Sequence, residues 1–433
     1  MNIEQLTENA KIVLLLCGRF STNDNDGLKQ LSPREFDELI LWLEKRSLGL
    51  EDLLNEANFK MFNESSSPIP LARIKTLLTR GASMALAIEK WTNKGLWVLC
   101  FGDQSYPQRL KQHLKHNAPP ILYGAGDHEL LSHGGLAVVG SRYVDPKGQK
   151  FAHEVGRKAA ESNMQLISGA AKGVDEMAMH SAFSSGGSVI GVLADSLLKF
   201  AVSGKYRKGI QNGQLLLIST YNPEVGFTVG AAMGRNKYIY ALADYAVVVN
   251  SAYMEGGTWA GASEELRRED PRPIFIRTGT GVPKGNIELL KIGGKPFPNE
   301  AFEGNFEEVL RTMVTSGTPI QTVGKTPERI PLIAEHTVSE LIDTSLPNKE
   351  QLVTPEKCVD IPLTVFEAVK PLILQSLEKP MKLDDLAKLL NVRKPQLQDW
   401  VKRLTEEGKV EKRKIGKSKK LAIKRQIEEL NFS

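Results

Sequence analysis

Cysteine is scarce in this 433-residue chain: Cys17, Cys100 and Cys358 are odd in number and far apart. They build no metal pattern, and thiols this sparse suit a reducing cytoplasm better than a disulfide framework. Long apolar runs are absent too. Nothing approaches the ~20 residues that cross a bilayer, and the apolar stretch between Lys11 and Cys17 is too short and wrongly flanked for a secretory signal. A cytoplasmic protein with no membrane contact is expected. No metal cluster, paired nucleophile and base, or complete cofactor motif calls for catalysis, so no cofactor and no enzymatic activity are expected. A large net charge is also lacking. The formal value of +5 is modest for this length, but it is unevenly spread, because the last segment is far more basic than the rest. A local basic patch on a nearly balanced protein fits contact with nucleic acid.

What is present is the composition of a globular protein, 41% apolar and 25% charged, in a chain long enough for two or three domains. Residues 1–95 read as a helical N-terminal domain. Ser32-Pro33-Arg34-Glu35 offers a capping Ser, Pro at the first helical position and Glu at the third, and Phe36, Leu39, Ile40 and Leu43 follow at helical spacing. Residues 96–312 alternate short apolar runs (Leu136–Val139, Gln165–Ile167, Ser188–Leu193, Leu215–Ile218, Tyr245–Val249, Pro273–Ile276) with amphipathic stretches. The helical stretches are Lys147–Ser162, Val174–Ser184, Arg235–Ala241 and Gly261–Arg268. Continuous apolar strands between helices predict a parallel sheet buried on both faces. The fold class is therefore α/β, a doubly wound Rossmann-like sheet. Residues 313–360, rich in Thr, Pro, Lys and Glu without a sustained period, read as a flexible linker. Residues 361–433 read as three helices and a basic hairpin, a C-terminal winged-helix domain.

Three glycine-containing turns carry the chemistry, each expected where a buried strand runs out. They are Gly140-Ser141-Arg142, Ser168-Gly169-Ala170-Ala171-Lys172-Gly173, and Glu255-Gly256-Gly257-Thr258. At the carboxyl edge of a parallel sheet, small residues let backbone N–H groups approach an anion, and the following helix adds its positive end. Arg142 and Lys172 make that anion a phosphate, either of one nucleotide or of a nucleic-acid backbone. The missing second and third glycines of a dinucleotide fingerprint argue against NAD. Gly234-Arg235-Asn236-Lys237 reads as a helix start suited to phosphate oxygens and base edges. Asp175 reads as a helix cap, and His180 as a packing or hydrogen-bonding residue. Trp259 is open between a stacking surface for a base and a core residue. Glu264 and Glu265 are open between a general base and solvated charges. In the basic tail, Lys412, Arg413, Lys414, Lys417, Lys419 and Lys420 bracket the expected wing tip and suit phosphates of DNA.

Taken in order, Val138-Val139-Gly140-Ser141-Arg142, Ile167 to Asp175 with His180, and Gly234-Arg235-Asn236-Lys237 resemble the DprA/Smf DNA-processing family. Gly102-Asp103 to Tyr106-Pro107 and Pro119 to Gly124 match the segment that precedes that family's Rossmann-like domain. The resemblance runs from about residue 95 to 297. It implies a single-stranded DNA-binding protein, often dimeric, that protects the strand and helps load RecA recombinase. It also implies that Arg142, Lys172 and the Arg235–Lys237 turn face the DNA backbone. The family's Arg-Asn-Arg turn is here Arg-Asn-Lys, and Glu255 to Trp259 replaces its later Ser-Gly segment. That replacement is similar to the nucleotide-binding and phosphoribohydrolase relatives of the same fold, without reproducing their Gly-Gly-x-Gly-Thr-x-x-Glu signature. A nucleotide-binding or nucleotide-hydrolysing protein, with a phage-defence role, is the alternative reading.

Overall fold

The computed structural model describes residues 6–21, 28–55, 58–59, 62, 66–297, 304–315, 370, 373–377, 380–390, 394–415 and 418–423. Contacts divide the chain into two compact units, Met1–Ile330 and Pro331–Ser433. The first unit is built on a nine-stranded sheet in the order β1-β2-β6-β5-β4-β3-β7-β8-β9. Its strands are β1 (Trp97–Cys100), β2 (Ile121–Ala125), β3 (Leu136–Gly140), β4 (Leu166–Ser168), β5 (Val189–Leu193), β6 (Leu215–Ser219), β7 (Tyr245–Asn250), β8 (Ile274–Arg277) and β9 (Lys295–Phe297). Pairing is parallel from β6 through β9, while β1 and β2 extend the β6 edge antiparallel. The central strand β3 has β4 on one side and β7 on the other. The chain winds outward one way through β4, β5 and β6, then returns to start β7. That reversal makes the carboxyl ends of β3 and β7 the switch point at which open α/β sheets bind ligands.

Alternate side chains along each strand enter two different cores, as the period of two demands. On one face Leu136, Val138, Leu166, Val189, Leu217 and Val247 pack with helices Pro146–Glu161 and Val174–Ser184. On the other, Ala137, Val139, Ile167, Ile190, Leu216 and Val248 pack with helix Val229–Leu242 and with Ala262 and Leu289 of the two helices that follow. The helices of residues 8–92 do not enclose a core of their own. Leu14, Leu16, Leu39, Ile74 and Trp91 are buried in the same cluster as Val98, Cys100, Ile121 and Tyr123 of the antiparallel extension. Local chemistry sets their ends: the Ser32 hydroxyl accepts from Glu35 N–H at 3.3 Å, and Ser32 N–H donates to Glu35 Oε2 at 2.8 Å. Glu35 also receives Arg73 Nη1 at 2.7 Å, and that hydrogen bond holds its carboxyl down at about 2.

In the second unit, helices Leu383–Leu389 and Lys394–Glu406 precede a hairpin of β10 (Val410–Ile415) and β11 (Ser418–Ile423). Leu386, Leu397, Trp400, Leu404 and Val410 form its core with Leu421. The 313–360 stretch beyond residue 315, most of the helix expected over 364–377, and Lys417 lie outside the described residues.

Candidate nucleic-acid interface

A cleft of ≈ 640 Å³ opens at the carboxyl ends of β3 and β7. Gly140, Ser141 and Arg142 form one wall, Gly256, Gly257 and Thr258 the opposite one, and Arg235 and Asn236 project from helix Val229–Leu242. Two of the three turns singled out in the sequence thus meet across one crevice, and Ala171 brings the third to its edge. The last wall is the first turn of helix Gly256–Leu266, whose unsatisfied N–H groups give that end a partial positive charge.

The turn after β3 is held so that only its side chains are free. Ser141 N–H and Ser141 Oγ both donate to Asn250 O, at 3.0 and 3.2 Å. The hydroxyl expected to serve a phosphate therefore ties β3 to β7. Arg142 is exposed, with its guanidinium carbon 5.2 Å from the centroid of the Phe227 ring. Just downstream, Asp145 caps helix Pro146–Glu161 by accepting from Gly148 N–H at 2.9 Å. The buried Arg277 braces that cap, its Nη2 donating to Asp145 Oδ2 at 2.7 Å. That hydrogen bond holds the Asp145 carboxyl below its usual range.

The turn after β4 plays an internal part instead. Ser168 Oγ donates to Val138 O at 2.6 Å, and both Ser168 and Gly169 are buried. A Cβ at Gly169 would sit 1.3 Å from Arg235 Nη1, so glycine is required because the guanidinium lies flat on this backbone. Gly173 has φ +94°, and a Cβ there would come within 2.5–2.7 Å of Ser141 O and Arg142 backbone atoms. It locks the two turns together. The amides of Gly140 and Gly169, expected to cradle a ligand, and that of Ala171 act on the buried carboxylate of Asp175, each pulling its pKa down. Asp175 occupies the anion position that sequence reasoning reserved for a phosphate. Burial drives its carboxyl up to about 6, against the pull of Arg235 and of the three amides. Lys172 is exposed and does not line the cleft.

Arg235 is the least expected element. It does not start a helix but sits in the middle of the 14-residue helix Val229–Leu242, which Thr228 caps through Ala231 N–H. Its residue is only 6% exposed, and Asp175 Oδ2 stands 3.9 Å from Nη1, too far for a hydrogen bond. Nε and Nη1 are buried with no hydrogen-bond partner among the described residues. Burial pulls the guanidinium pKa down, the nearby Asp175 acting against it. Arg235 is thus a loosely neutralised buried cation whose unpaired donors are unusual for a folded interior.

Its two neighbours in the motif do other work. Asn236 Nδ2 donates to Gly257 O at 2.8 Å and fixes the opposite wall. At 100° per residue, Lys237 cannot share a helix face with Arg235. It is half-buried beside Tyr238, its ammonium 5.1 Å from that ring, where burial lowers its pKa while Glu264 acts in the other direction. Lys237 lies outside the cleft, contrary to the expectation that all three residues face one phosphate backbone. Trp259 packs partly into the second core and meets Tyr253 edge-on at 4.9 Å. Glu265 is buried against His113, and Glu264 is exposed, neither lining the cleft. His180 is exposed on helix Val174–Ser184. The sequence reading passed over Tyr143 and Phe227, both of which line the cleft. Tyr143 was signalled by its place next to Arg142, and Phe227 by the Gly226-Phe227-Thr228 approach to a helix cap.

On the hairpin, register pairs Arg413 with Lys420, Lys414 with Lys419, and Lys412 with Leu421.

Residues 97–292 match the family model described as DNA recombination-mediator protein A. The DNA processing protein DprA of Streptococcus pneumoniae is 28% identical over 197 residues, covering 45% of this chain and 68% of that protein. That of Bacillus subtilis is 24% identical over 214 residues, covering 47% and 69%. Among solved structures, DprA from S. pneumoniae covers 62% of this chain and 95% of its own, at 22% identity and a TM-score of 0.43. DNA processing protein A from Helicobacter pylori, described for its single-stranded DNA binding mode, covers 51% and 95% at 23% identity and a TM-score of 0.40. Over residues 97–292, this chain is similar to the DprA/Smf family of DNA-processing proteins.

Proposed function

We propose that the protein binds single-stranded DNA, with phosphates entering the cleft between the turns after β3 and β7. It protects the strand and helps load a RecA-type recombinase, working as a cytoplasmic homodimer and catalysing no reaction. The observation that carries this reading is the buried Arg235, with two unused donors at the base of a cleft whose wall is Arg142. Once the buried guanidinium turns toward the cleft, an anion there gains charge-assisted hydrogen bonds from Arg235 with no internal hydrogen bond of Nε or Nη1 to break. Exposed Lys172 adds positive field beside the cleft without touching its lining. The relatives named as DNA processing proteins support the same assignment. The basic hairpin supports a second contact with DNA. Its register sets Arg413 level with Lys420 and Lys414 level with Lys419 along the backbone, a density of positive charge that suits phosphates.

The test is an anisotropy titration of single- against double-stranded DNA at about 50 and 200 mM salt. Preference for the single strand, with affinity falling as salt rises, is expected. Equal affinity for the two forms, or none for the single strand, would reject the reading. The size of the cleft and the helix start at Gly256 also suit one free nucleotide. In that case nucleoside monophosphates would raise the melting temperature while oligonucleotides fail to bind.

A further inference from the structure

Large apolar side chains exposed to solvent gather around the cleft. Tyr143 is 93% exposed, Phe227 51%, Val229 66% and Met233 44%, and all four line it. Tyr253 and Met254 stand in the loop immediately before Glu255, and Met254 is 72% exposed. Scattered exposed apolar residues need no explanation, whereas a gathered set marks a surface that binds something. Of the aromatic rings here, Tyr253 is already engaged, edge-on to Trp259 and with Lys284 Nζ 4.7 Å from its centroid. Tyr143 is the most exposed ring, and Phe227 is still half exposed although the Arg142 guanidinium carbon lies 5.2 Å from its centroid. They flank Arg142, one as its neighbour in the chain and the other beneath its guanidinium.

We propose that Tyr143 and Phe227 are stacking platforms for the bases of the strand whose phosphates reach Arg142 and Arg235. The inference rests on the phosphate reading above and adds to it what recognises the bases. A strand presents phosphates and ring faces in alternation along its length. The cleft mouth presents a cation over one ring, with a second ring on the next residue of the chain, which suits that alternation over a short stretch. Every base has a π face, so such rings accept any sequence. In duplex DNA the base faces are covered by their neighbours and the rings find nothing to stack on. The preference for single strands then follows from Tyr143 and Phe227, and the affinity for phosphate from the arginines. An apolar protein partner fits less well, since it would bury Arg142 and cover Arg235 with nothing to satisfy either charge.

The experiment compares an oligothymidylate with an abasic strand of the same length, which keeps the phosphates and lacks the bases. Both are titrated by anisotropy into the full-length protein and into a Tyr143→Leu/Phe227→Leu double variant. Leucine keeps the rim apolar, and an unchanged melting temperature verifies the fold. The wild type is expected to bind the base-bearing strand about tenfold or more tightly than the abasic one. The double variant is expected to bind both equally, at the affinity of the abasic strand. If the wild type binds both strands equally well, or the double variant keeps the preference, stacking is overturned while the phosphate reading stands. If the rim instead serves a protein or a second copy of the chain, the double variant keeps its preference for bases and only its oligomeric state moves, which also overturns stacking. If the wild type binds neither strand, the phosphate reading fails first and stacking with it.

Discussion

The turn after β3 and the turn after β4 have the same kind of composition, small residues and one cation, and they do opposite things. The first offers Arg142 to solvent at the cleft wall, with its backbone tied off to Asn250. The second turns its glycine inward, where Gly169 makes room for Arg235 and its amide lowers the pKa of the buried Asp175. On the proposed function, one turn meets the ligand and the other builds the buried cation that the ligand meets. A glycine-rich turn at a strand end therefore has two possible customers for its amides, an outside anion or a carboxylate of the same chain. Only the packing of the following helix decides between them.

The comparison is broken most severely by putting a methyl group on the second turn. Gly169→Ala would drive the guanidinium of Arg235 off the backbone, because the new Cβ falls 1.3 Å from Nη1. Stability should fall by about 1–3 kcal/mol in a denaturant titration, and strand affinity by about a hundredfold. A fully stable protein with full affinity would show that Arg235 has no need of its seat. Arg142→Ala attacks the first turn and should leave stability unchanged, since the side chain is exposed. Strand affinity should drop about tenfold, and the slope of log K against log salt should become shallower by about 0.7.

Acidity sharpens the contrast, because burial lifts a carboxyl of the inner site toward neutrality. The folded carboxyl of Asp175, at about 6, lies above its ordinary value of 3.8. Its contribution to stability is thus full below 3.8 and lost as pH rises through about 6. The same ionisation places a negative charge beside Arg235. Strand binding should weaken several-fold as pH rises from about 5 to about 7.5, and Asp175→Asn should remove that dependence. A smaller effect is expected at the rim. Glu255 lines the cleft as an exposed carboxylate, and Glu255→Gln should tighten strand binding by about twofold at low salt, less at high salt. Lys237→Ala should change affinity least of all, within about twofold, because Lys237 lies outside the cleft. A tenfold loss there would place the strand on the other side of the helix.

Much of this was legible in the residues. The apolar runs located the parallel strands β3 to β8 to within a residue at each end, because strands buried on both faces admit hardly any polar side chain. The helix Val174–Ser184 fell where its periodicity put it. The site was legible in outline, since Gly140–Arg142 and Gly256–Thr258 do face each other. What escaped was the pairing of Asp175 with Arg235, residues far apart in sequence that only the winding of β4 to β7 brings together. The helix start was misjudged as well. Thr228-Val229-Gly230 carries a capping threonine followed by glycine, and glycine in a first turn hides the signal that places Arg235 mid-helix. Once that start moves, helical geometry alone separates Lys237 from Arg235.

The most direct measurement is a crystal structure of the full chain with a short oligothymidylate bound. The account predicts a phosphate oxygen about 3 Å from Nε or Nη1 of Arg235, with Arg142 on the same or the adjacent phosphate. A strand bound elsewhere, with the donors of Arg235 still unused and Asp175 unmoved, would contradict it.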